Sequence, residues 1–163
     1  MNIQMPNVRD VNFQHKTLSH IHEKPHYKNL KTLQDKLKAI TSSIPSTLGG
    51  GMYSHLGLLL TPACYATLSV VPFTTPVKLG RFVPPAGGTS PQIAAAKDMW
   101  HITHDTFKLS QAIKKALISQ VAHAIDSTYL ATLWNSNISQ YGNSIHALLE
   151  HLFSTYGQIT PNR

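Results

Sequence analysis

The feature that most constrains the fold is a series of apolar residues spaced three and four apart in the second half of the chain. A helix places residues at these spacings on one face. Ser90-Pro91 supplies a capping hydroxyl and a proline for the first turn. The pattern therefore predicts one long helix from Ser90 to about Ala124, with an apolar stripe formed by Met99, Ile102, Leu109, Ile113, Leu117 and Val121.

Four further segments carry helical signals. Apolar residues recur at helical spacing from Tyr27 to Ile40, and Thr61-Pro62 is a capped start for a short helix to about Ser69. Asp126 can cap a helix from Ser127 to about Trp134, and Ser144 can cap a last helix that ends before Gly157. The sequence predicts an all-α fold, a small bundle of about five helices, with no convincing strand.

Other segments favour irregular structure. Residues 1–26 lack a sustained period and predict a mobile arm, and the glycines at 49–51 predict a flexible joint. Proline and glycine dominate residues 71–89, which predicts an extended connector anchored by Phe73 and Phe82. We therefore expect a basic arm with a short amphipathic helix over residues 1–43 and a helical domain over 44–163, its ordered core ending near residue 160.

Charge indicates the kind of partner. The net charge is +7, and the first 40 residues contain seven basic and three acidic side chains. This balance favours polyanions such as RNA and predicts weak binding without sequence preference. The alternative is a solvated, solubilising face. The candidate nucleic-acid-binding residues are Lys24, Lys28, Lys31, Lys36 and Lys38, and Lys114-Lys115 is a weaker patch.

The sequence offers no catalytic constellation. A single cysteine, Cys64, excludes an intramolecular disulfide and a zinc site of several thiolates, and its position in a short amphipathic helix predicts a buried thiol. His101 and His104 could share a cation but lack further ligands. We therefore predict that the protein is not an enzyme and has no metal, cofactor or small-molecule substrate. The chain contains no apolar run long enough to span a membrane, and we expect a cytoplasmic protein.

The order of motifs in the second half resembles a known family. Trp100 and Asp105 lie on the long helix, Ile125-Asp126 and Tyr129-Leu130 follow, and Ile145 to Gly157 closes the pattern. This order resembles the amino-terminal capsid region of Gag proteins of copia-type LTR retrotransposons, particularly those of diatoms. The match is best over about residues 90–160, with weaker support from Leu48 to Tyr65. The resemblance implies an all-helical capsid domain that oligomerises into a particle enclosing RNA.

The chain departs from this family at its end. Gag proteins of this kind continue into further capsid helices and often a zinc knuckle, whereas the sequence ends at Arg163. We therefore expect a truncated Gag-like structural protein that self-associates. The alternatives are a helical protein-interaction module of a host protein and an enzyme of unrecognised type. In each case we expect the predicted helices to share one core formed by Trp100, Leu109, Ile113, Leu130, Leu149 and Phe153.

Overall fold

The computed structural model describes residues 18–142 and 144–158. The α-helices in these ranges are α1 (Tyr27–Ser43), α2 (Pro62–Ala66), α3 (Ser90–Ala124) and α4 (Ile145–Tyr156). The chain also forms 3-10 helices at Leu48–Gly50, Leu56–Leu58 and Ser127–Leu133. Two short strands, β1 (Trp134–Asn135) and β2 (Gln140–Tyr141), pair in an antiparallel hairpin.

The predicted all-α class is confirmed, and all five predicted helical segments are helical. The segment after Asp126 is a 3-10 helix, and the small hairpin occupies part of the predicted polar loop. Capping side chains account for the positions at which most of the helices begin. Thr61 accepts a hydrogen bond from the Cys64 amide at 3.0 Å, and Asp126 accepts one from the Thr128 amide at 3.1 Å. Thr89 caps α3 one residue earlier than predicted, in a capping box with Gln92.

One hydrophobic cluster joins α1, the second half of α3, the 3-10 helix after it and α4. Helix α1 contributes Leu30, Leu33 and Leu37, which are at most 3% exposed. These side chains are inside because their spacing of three and four gives α1 one apolar face. Helix α1 is therefore part of the packed core, although the sequence analysis assigned residues 1–43 to a basic arm.

The predicted core is largely present. Leu109, Ile113, Leu130 and Leu149 belong to the cluster, and Phe153 packs against it while remaining partly exposed. The prediction for Trp100 is wrong, because this side chain is not part of the cluster. Helix α3 is longer than the elements that pack on it, so residues near its start extend beyond the core.

The first half of α3, from Ser90 to Lys108, contains no buried residue in the described structure. The connector lies along it in the opposite direction. Gly80 accepts a hydrogen bond from the Trp100 indole nitrogen at 3.2 Å, and the Phe82 ring meets the Trp100 ring with centroids 6.3 Å apart. Phe73 anchors the other end of the connector to the core, as predicted, whereas Phe82 anchors it to the projecting half of α3.

The residues before α1 are docked on the core where they are described. Leu18 is buried, and the Ile21 amide donates a 2.7 Å hydrogen bond to the Ala124 carbonyl. Gln120 also accepts a hydrogen bond from the Leu18 amide at 3.0 Å. The prediction of mobility is therefore wrong for residues 18–26, because two apolar side chains hold this segment at the end of α3. Its remainder, residues 1–17, lies outside the described residues.

The glycine run is a packed turn, so the predicted flexible joint is wrong here. Gly49 is buried, and its φ of 59° lies in the left-handed region. Its carbonyl accepts hydrogen bonds from Tyr65 Oη at 2.7 Å and from Ser69 Oγ at 3.2 Å. These bonds join the turn to α2 and the residues after it.

Candidate nucleic-acid interface

The predicted phosphate-binding lysines lie on or just before α1, outside its apolar core face. Lys28 and Lys36 are exposed, and Lys31 and Lys38 are half-buried. The Lys31 ammonium is 3.0 Å from the Asp35 carboxylate, so an acidic group already accompanies this charge. Surface ion pairs of this kind contribute little to stability, but each one reduces the local positive potential.

These lysines do not share one site, although Lys28 and Lys36 line a cavity together with Glu23. Lys31 and Lys38 are about two turns apart on one side of α1, whereas Lys36 lies roughly 150° around the helix. Lys24, before the helix, has its ammonium 5.8 Å from the centre of the Tyr156 ring, in a cation–π contact with α4. The arrangement is a dispersed basic surface, so a single strand of phosphates would meet only part of it.

A second group of lysines does converge, on a cleft between α3 and the connector. Lys108 and Lys115 come from α3, and Lys78 comes from the connector. The cleft has a volume of about 690 Å³, and its lining is completed by Phe107, Gln111, Ala112, Ala116 and Ser119. The lining includes no acidic side chain among the described residues. Three positive charges therefore face one space, which raises its attraction for anions above that of the α1 surface.

A contact beside this cleft fixes the connector. The Lys114 ammonium donates a hydrogen bond to Thr75 Oγ1 at 3.4 Å. This bond lies on the connector just before Lys78, so it holds the connector against α3 where the cleft begins. Sequence reasoning noted Lys114-Lys115 as a small patch but missed Lys78 and Lys108. Their approach depends on the antiparallel path of the connector, and the only sequence signal is the two basic residues, Lys78 and Arg81, in a Pro-rich segment without acidic residues.

The surroundings of the described histidines and of Cys64 are not those of a metal site. The His104 ring stacks on Trp100 with centroids 4.8 Å apart and an interplanar angle of 20°, while His101 meets the edge of the same indole. Within residues 18–142 and 144–158, no group of three or more potential ligands is arranged to hold a metal ion. Cys64 is exposed, so the predicted burial of its thiol is wrong. Tyr65, the next residue of the same helix, takes the buried position.

One histidine is fully enclosed and has a structural role. His55 is 1% exposed, and its Nδ1 is 2.7 Å from the Ile44 carbonyl oxygen, a geometry in which a ring N–H donates to that oxygen. Burial lowers the pKa of His55 below its ordinary value of 6.5, and the bond to Ile44 opposes this only in part. The ring is therefore neutral in the folded protein near neutral pH, and it fastens the end of α1 to the segment that follows.

An exposed apolar stripe lies on the projecting half of α3. Met99 and Ile102 are 62% and 58% exposed, and they continue the line of Leu109 and Ile113 beyond the core. Ala95 extends the stripe towards the start of the helix and is also exposed. The apolar residues of α3 thus lie on one face of the helix, as predicted. In the described structure only the second half of that face is covered by other elements.

These features define an all-α bundle with a projecting helix, an uncovered apolar stripe and a basic cleft. Among the described residues, no helix has the length and apolar character that crossing a membrane requires. The chain matches no protein-family model, no curated protein and no solved structure.

Proposed function

We propose that the protein is a structural assembly protein of the Gag type, which self-associates in the cytoplasm and binds RNA weakly without sequence preference. The observation that carries self-association is the uncovered stripe of Ala95, Met99 and Ile102. Its residues are in line with side chains that fill the core further along the same helix. An apolar surface that continues a core face without a cover is typical of a binding surface.

The connector enlarges this uncovered apolar surface. Val77 and Val83 are 76% and 77% exposed on the segment that lies along the projecting half of α3. Burying apolar surface stabilises an association by roughly 25 cal/mol per Å² before the entropic cost of association is subtracted. Charged side chains are only 13% of the chain, which leaves uncharged surface on which copies can pack.

A second copy is the occupant that the resemblance to capsid proteins favours. The same stripe would also suit a different protein, which is the interaction-module alternative. The RNA component of the proposal rests on the net charge of +7 and on the resemblance to capsid proteins. Lysine ammonium groups are point charges without the planar fork of arginine, so they suit contacts that do not read sequence.

Size-exclusion chromatography with light scattering over a range of protein concentrations tests the proposal. The wild type is expected to increase in mass with concentration, and the double variant Met99→Glu/Ile102→Glu is expected to remain monomeric. The matched control is Met52→Glu/Ile138→Glu, which places the same charges at residues 80% and 50% exposed elsewhere on the surface. A wild type that is monomeric at every concentration would contradict self-association and favour the interaction module.

A further inference from the structure

We infer that the cleft lined by Lys78, Lys108 and Lys115 binds the phosphodiester backbone of single-stranded RNA, and that it is the main RNA contact of this chain. The inference rests on the proposed function, which requires RNA binding but does not place it. It assigns that binding to the space between α3 and the connector, away from the α1 lysines predicted from the sequence.

The first argument is the convergence of charge. All three cleft lysines are exposed, so their ammonium groups are hydrated and available. Lys108 and Lys115 are seven residues apart on one helix, which separates their backbone positions by about 10 Å. The flexible lysine stems allow these ammonium groups to reach different phosphates of one strand. Lys78 comes from the connector, so both elements that line the cleft contribute positive charge.

The second argument is the chemistry of the rest of the lining. Gln111 and Ser119 provide polar groups that can bond to phosphate and sugar oxygens, and the half-buried Phe107 presents an aromatic surface. Unpaired bases stack on such surfaces without regard to sequence. A duplex keeps its bases stacked inside, so the combination of phosphate-binding charge and an aromatic wall favours a single strand.

The third argument is that the cleft has fixed walls. One wall is an α-helix, and the other is tied to it by the Lys114–Thr75 hydrogen bond and by the packing of Phe82 on Trp100. A site whose walls are already in place loses less conformational entropy on binding than a mobile basic tail does. By contrast, the lysines of α1 are accompanied by acidic groups: Lys28 and Lys36 line a cavity that also includes Glu23, and Lys31 is paired with Asp35.

The test compares two triple variants that remove equal charge. Lys78→Gln/Lys108→Gln/Lys115→Gln alters the cleft, and Lys28→Gln/Lys36→Gln/Lys38→Gln alters α1. Binding of a labelled oligouridylate is measured by fluorescence anisotropy over a series of salt concentrations. If each cleft lysine neutralises one phosphate, the slope of log affinity against log salt falls in magnitude by about 2 for the cleft variant. We expect at least about a tenfold loss of affinity at low salt for this variant and a much smaller loss for the α1 variant.

Each outcome supports or overturns the assignment. Equal losses in the two variants would mean that only net charge matters, and an unaffected cleft variant would place the contact elsewhere; both overturn it. A labelled duplex that binds as tightly as the single strand would overturn the preference for unpaired bases. If the wild type binds no RNA at low salt, the RNA part of the proposed function fails as well. Self-association is measured separately, so the two failures are distinguishable.

Discussion

The hydroxyl of Tyr65 donates a 2.7 Å hydrogen bond to the carbonyl of Gly49, and the ring of Tyr65 occupies the position where a side chain at residue 49 would stand. Gly49 also has a positive φ of 59°, which side chains other than glycine's rarely adopt. The turn and the short helix α2 are thus fitted to each other at this point.

We therefore expect Gly49→Ala to be severely destabilising. The left-handed backbone alone costs about 1 to 3 kcal/mol for a residue with a side chain, and overlap with the Tyr65 ring adds to that cost. Gly51→Ala is the matched control, because Gly51 also has a positive φ, of 77°, but is exposed and leaves room for a Cβ atom. Urea unfolding measures both. Equal losses would mean that the ring does not restrict residue 49.

The core assignment predicts unequal effects of two truncations. Leu149→Ala removes a side chain that is 4% exposed in the cluster and should lower the free energy of unfolding by about 2 to 5 kcal/mol. Trp100→Ala removes contacts with the connector and with the rings of His101 and His104, all outside the core, and should cost about 1 kcal/mol. Chemical denaturation gives both values. A larger loss for Trp100→Ala than for Leu149→Ala would return Trp100 to the core.

The buried His55 predicts a loss of stability in mild acid. Burial holds the pKa of His55 below 6.5 in the folded protein, so protonation favours the unfolded chain. The contribution is fully present above the unfolded pKa of about 6.5 and is lost as the pH falls below it towards the lower folded pKa, by at most about 1.4 kcal/mol per pH unit.

Thermal melting across this pH range measures the effect. In His55→Gln the dependence on pH should be weaker, whereas in His101→Gln, which alters an exposed histidine, it should match that of the wild type. A wild-type slope that persists unchanged in His55→Gln would assign the acid sensitivity to other groups.

The segment before α1 should contribute to stability. Leu18→Ala/Ile21→Ala removes a buried and a half-buried side chain from the end of α3 and is expected to cost about 2 kcal/mol. His22→Ala changes an exposed residue of the same segment and should have little effect. Urea unfolding compares them. If the double variant were as stable as the wild type, the docking of this segment would be energetically unimportant.

Local signals in the sequence were sufficient for the helices. The starts at Thr61, Asp126 and Ser144 depend on a side chain and amides two or three residues away, so the sequence contains the whole interaction. The apolar stripe of α3 was predicted in the correct register for the same reason. Periodicity does not tell how far neighbouring elements extend, and Trp100 was therefore assigned to the core incorrectly.

The candidate site could not be predicted in this way. Lys78 and Lys108 are thirty residues apart in sequence and share a cleft only because the connector turns back along α3. The composition of residues 71–89 predicted an extended segment, but it gave no information about the direction in which that segment runs. The α1 lysines were prominent because they are close together in sequence, which on a helix does not place them on one side.

Because only the second half of α3 is buried, that half resists local unfolding more strongly than the first half does. We expect its second half to exchange backbone amide protons only when the core opens, and its first half to fray from Thr89 inwards without disturbing the core. Fraying would release the connector at Trp100, while the Lys114–Thr75 hydrogen bond would still hold it beside the cleft. We expect a partner that covers the stripe of the projecting half to slow this local unfolding.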